Sequence, residues 1–157
     1  MNKKFDCRAS IILGMHDAIV SLTGLIAGLG LALQDKTIII LSCVISSITA
    51  ALSMGAANYL AVKTNDKLCA LRAACFTGGA YILTCILLIF PFFIFNNRTL
   101  TLCAVFLMAF YIIFFFNFFF YKNKNFYKNF SEMLIICTAV SIISFFIGYI
   151  AKYFLGI

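Results

Sequence analysis

Five apolar runs separated by short polar breaks cover most of this 157-residue chain. They fall at about 9–33, 37–62, 71–95, 99–121 and 132–155, and each is long enough to cross a hydrocarbon core, which takes about 20 residues of helix. Backbone groups in lipid must find their hydrogen bonds within the segment, so the runs predict helices and not open strands. The longest polar stretch, Tyr121 to Glu132, is too short to fold separately. The expectation is an all-α integral membrane protein with one five-helix domain.

Local signals refine this pattern. Pro91, the single proline, predicts a kink or an end to the regular helix near the outer end of span 3. Span 4 holds Asn117 alone among phenylalanines, and its degenerate composition suggests a lipid-facing, structural role. Ser131 and Glu132 form a cap at the start of span 5, with the acid suited to a helix N-terminus. Lys152 can snorkel to the outer interface.

Composition agrees: 64% of the residues are hydrophobic and 11% charged. A mean hydropathy of +1.09 is more than a soluble domain of this length could hide. The net charge of +7 would suit nucleic acid, but the basic residues sit at the ends of the apolar runs, where they set orientation. The partner they imply is the lipid bilayer, and no nucleic acid is expected. Nine (Lys3, Lys4, Arg8, Lys63, Lys67, Arg72, Lys122, Lys124 and Lys128) fall on one side, against Lys36, Arg98 and Lys152 on the other. The N-terminus is therefore expected in the cytoplasm and the C-terminus outside, with a bacterial inner membrane as the location. The opening MNKKFDCRAS could pass for a signal peptide, but Asp17 breaks the apolar region and no small-x-small site follows, so an uncleaved span is expected.

The chemistry concentrates in the first two spans. His16 and Asp17 interrupt span 1, and a carboxylate within a span costs roughly 2.5–3.5 kcal/mol on insertion scales, which marks it as a functional candidate. Asp17 lies roughly 12 Å from the cytosolic end of span 1, and Met54 about 12 Å from that of the antiparallel span 2. Asn58 follows one turn nearer the cytosol on the Met54 face, His16 points to a different face from Asp17, and Ser46 sits near the middle of span 2. Carboxylate, amide carbonyl and thioether together suit a divalent cation, and the sulfur tilts selectivity toward transition metals. Asp17, Met54 and Asn58 are the candidate ligands. Gly24 and Gly28 form a GxxxG, which serves either packing within one subunit or a dimer contact. The seven cysteines are scattered singly and read as reduced and structural, with Cys69 and Cys75 the one pair worth weighing for metal. No nucleophile–base pair, phosphate loop or cofactor motif is present, so neither an enzyme nor a bound cofactor is expected.

GMHDAIVSLTGLIAGLG followed by ALSMGAANYLAVKT resembles the vacuolar iron transporter (VIT) family of iron and manganese transporters. The likeness is specific over roughly residues 12 to 64 and thinner beyond, at Gly79, Tyr81, Pro91, Phe92 and Gly148. It implies a homodimer with a metal path along the subunit interface lined by spans 1 and 2, in which Asp17 and Met54 match the pathway aspartate and methionine. It implies export or sequestration of Mn²⁺ or Fe²⁺ from the cytosol, the ion being cargo. Ser46 stands where studied members carry a pathway glutamate, and Asn58 where many bacterial members carry Glu. Only Thr64 to Ala70 replace the glutamate-rich cytosolic domain of the family's iron transporters, making this a short form. The alternative is a transport-inactive remnant serving as a structural or interaction protein in the membrane.

Overall fold

A computed structural model describes residues 7–64, 67–120 and 126–155, apart from the side chains of 67, 68, 120 and 155. Six helices follow in order: α1 (Cys7–Ala32), α2 (Lys36–Lys63), α3 (Lys67–Ile89), the single turn α4 (Pro91–Ile94), α5 (Arg98–Phe120) and α6 (Phe126–Leu155). Five segments are long and apolar enough to cross a membrane, α3 and α4 together making the third. No strand occurs among the described residues. The all-α, five-span expectation is met. Because α2 ends at Lys63 and α3 begins at Lys67, no domain intervenes there.

α1 is the hub. It packs against α2, α3, α5 and α6, and half of its most apolar window is buried, against under a third for α2, α5 and α6. Ala18, Ile19, Leu22 and Ile26 make its core face. Close approach depends on missing side chains. A Cβ on Gly14 would overlap the Thr77 carbonyl of α3, and one on Gly148 of α6 would overlap the Gly28 carbonyl of α1. The outer faces of the other helices carry Leu52, Phe93 and Phe115 about 70% exposed, as lipid-facing positions should be.

Asp35 caps α2, accepting from Thr37 N at 2.7 Å. Pro91 acts as its sequence suggests: α3 stops at Ile89 and the proline opens the separate turn α4. Two expectations are corrected. The last helix begins at Phe126 and not at Glu132, and Ser131, well inside it, donates to the Lys128 carbonyl at 2.9 Å instead of capping. The cause is tertiary, because Phe126 and Phe130 stack on each other and meet Phe114 and Phe110 of α5 edge-on. Nor does α5 face lipid alone. Val105, Ala109, Ile113, Phe116 and Asn117 are buried along one side, with the Asn117 amide donating to Ile113 O at 2.9 Å.

Candidate metal-ion site

Asp17 is half-buried in the N-terminal half of α1. The hydroxyl of Ser21, one turn on, donates to the Asp17 backbone carbonyl at 2.6 Å and lies 2.7 Å from the phenol of Tyr81. Tyr81 is 2% exposed on α3, so this bond ties the Asp17 turn to a rigid neighbour.

The matched depth of Asp17 and Met54 is realised as a shared wall. Both line an open pocket of about 320 Å³ with Leu13, His16 and Val20 of α1 and Met133 and Ile136 of α6. His16 therefore does not point away from the Asp17 surroundings. Neighbouring residues stand about 100° apart on a helix, and a pocket between α2 and α6 spans that arc of α1. The His16 ring meets Phe116 edge-on at 6.1 Å, and its buried Nε2 has no hydrogen-bond partner among the described residues. Met133 escapes any local reading of the sequence, since it arrives from the last helix. Its sulfur also receives a long contact of 4.0 Å from Asn117 Nδ2. The pocket wall thus joins one carboxylate, one imidazole ring and two thioether side chains. Hard oxygen, borderline nitrogen and soft sulfur together suit a first-row transition ion better than magnesium or calcium.

The other candidates lie elsewhere. Asn58 faces α1 and α3, where its amide donates to Thr77 Oγ1 at 2.6 Å and Ser10 Oγ at 3.1 Å; it does not line the pocket. Ser46 is exposed on the outer face of α2 and is absent from the pocket wall. Gly24 and Gly28 meet α6 of the same chain: a Cβ on Gly24 would stand 3.0 Å from Val140 Cγ1 and Ser144 Oγ, and one on Gly28 would stand 3.0 Å from Ser144 O. Of the two readings of the GxxxG, packing within one subunit is the one observed. Cys69 and Cys75, six residues apart on α3, point about 120° apart and cannot chelate one ion.

Four apolar spans packed around α1 define an integral membrane protein with an open pocket beside Asp17. The VIT family model matches residues 8–70, which hold α1, α2 and the start of α3, so over that stretch the chain is similar to the VIT family. That likeness points to metal-ion transport. No curated protein matches the chain.

Proposed function

We propose that the protein is a homodimeric transporter that moves Mn²⁺ or Fe²⁺ out of the cytosol across a bacterial plasma membrane, in metal homeostasis. The observation that carries this reading is the convergence of Asp17, Met54, His16 and Met133 on one open pocket. Asp17 provides charge and a hard oxygen, the thioethers favour transition ions, and the His16 Nε2 has no hydrogen-bond partner among the described residues. Asn58, bonded into the α1–α3 contact, supports the site from behind.

Charge argues for two copies. One carboxylate leaves a divalent ion half-neutralised in a low dielectric, whereas two Asp17 side chains, one per subunit, balance it. Ser21 and Leu13, one turn to either side of Asp17, are exposed, and Ser46, Thr49, Ser53 and Ala57 form an exposed small-residue strip on adjacent α2. Small residues let helices of two subunits approach closely.

The test is metal flux into proteoliposomes for the wild type and Asp17→Asn. Flux of Mn²⁺ or Fe²⁺ in the wild type, abolished in the variant, is expected. Removal of a carboxylate eases insertion, so its loss of flux would not reflect failed assembly. Absence of flux of any divalent metal in the wild type would favour a structural or interaction role, and unchanged flux in Asp17→Asn would remove Asp17 from the ligand set.

A further inference from the structure

A second cavity, larger and separate from the Asp17 pocket, opens between α5 and α6 with α1 as its floor. Its volume is about 650 Å³, within the range of about 300–1,000 Å³ for small-ligand sites. Along α5 it runs from Arg98 to Ile113, about 22 Å at the helical rise of 1.5 Å per residue, somewhat more than one leaflet of about 15 Å. Phe106, Ala109 and Leu134 line its length, so the inner part is apolar.

Its outer mouth is different. Arg98 is exposed at the first turn of α5 and makes no ion pair among the described residues. Nearby Lys36 is already occupied, donating to Phe95 O at 2.8 Å and Asn96 Oδ1 at 3.3 Å. Ser141 lines the same cavity, is 8% exposed, and its buried hydroxyl has no partner. By contrast, Thr23, Thr49, Thr84 and Thr101 each return a hydroxyl to the carbonyl four residues back. Arg98 and Ser141 thus line one groove, the guanidinium at its mouth and the hydroxyl in its wall on α6.

We propose that this groove binds one anionic phospholipid of the outer leaflet, its phosphate at Arg98, an ester oxygen at Ser141, and an acyl chain along Phe106, Ala109 and Leu134. The complementarity is threefold: an unpaired guanidinium suits a phosphate, an unsatisfied buried hydroxyl suits an oxygen, and an apolar channel about one leaflet deep suits a chain. In a zwitterionic lipid the headgroup's own cation competes with Arg98 for the phosphate, whereas an anionic lipid leaves the phosphate to the guanidinium.

The chain has no tryptophan, so one placed in the groove reports alone. Phe106→Trp puts it in the wall, and Leu107→Trp, a neighbour 60% exposed and outside the cavity, serves as the lipid-facing control. Both are reconstituted as full chains in phosphatidylcholine vesicles containing a few mole per cent of brominated phosphatidylglycerol or brominated phosphatidylcholine. The groove tryptophan should be quenched several-fold more by the anionic lipid, the control equally by both, and adding Arg98→Gln should erase the preference. Equal quenching by both lipids at the groove would overturn the proposal. So would absence of quenching there while the control is quenched, since protein, such as a second copy of the chain, would then cover the groove. The unsubstituted protein gives an independent reading: washed from an equimolar lipid mixture, it should retain phosphatidylglycerol over phosphatidylcholine, and equal retention would also overturn the proposal.

Discussion

Ser21 and Tyr81 form a directional hydrogen bond between α1 and α3. A serine hydroxyl has one proton, and that of Ser21 is directed to the Asp17 carbonyl, so the Tyr81 phenol is the donor across the 2.7 Å gap. Tyr81→Phe removes the donor and nothing else. Interhelical hydrogen bonds in membranes average about 0.6 kcal/mol, so only a small loss of unfolding stability in detergent is expected. Metal flux should fall several-fold, because the turn that carries Asp17 loses its tie to α3. Unchanged flux would show that Asp17 needs no such anchor.

The sulfurs should govern choice of metal. Met54→Leu and Met133→Leu nearly conserve volume and should each cost less than about 1.5 kcal/mol of stability. Each should lower the ratio of Fe²⁺ to Mn²⁺ flux, and the double variant should lower it further, because a thioether favours the softer ion. Competition flux with both metals present measures the ratio; a constant ratio would assign both methionines to packing.

Proton linkage is expected at His16 and not at residue 46. Ser46 is exposed on α2 and absent from the pocket wall, whereas His16 lines the pocket and its Nε2 has no hydrogen-bond partner among the described residues. Only neutral imidazole can bind a metal, so acid and metal compete for it. Metal affinity should weaken as pH falls through the range in which the imidazole gains a proton. His16→Gln should flatten that dependence, as measured by metal titration across pH in detergent. An equal slope in the variant would place the competing proton elsewhere.

Gly28 and Gly148 should matter to the fold of one subunit. A leucine at either would force α1 and α6 apart at a backbone contact, an overpacking cost of about 1–3 kcal/mol. Gly28→Leu and Gly148→Leu should unfold at lower temperature or denaturant than the wild type. Cross-linking through cysteines on the exposed face of α2 should fall no more than the folded fraction does. Full stability with lost cross-linking would return these glycines to a seam between subunits.

Much of this protein was legible in one dimension. Run length and the absence of charge determine five spans, because lipid admits only helices of that length, and the single proline marks where the third breaks. The common depth of Asp17 and Met54 also follows from sequence, since rise per residue is constant and consecutive spans are antiparallel. What a linear pattern does not contain is how each helix is turned about its axis and which neighbour it meets. Tertiary packing decided that Gly28 faces Gly148 and that Asn58 bonds Ser10 and Thr77 instead of facing the pocket. It brought His16 and Met133 to Asp17, and it began α6 at Phe126 because two of its aromatic rings found partners on α5. Those outcomes depend on side chains far apart in the chain fitting together, and all-apolar helices give no amphipathic signal that would reveal their facing sides in advance.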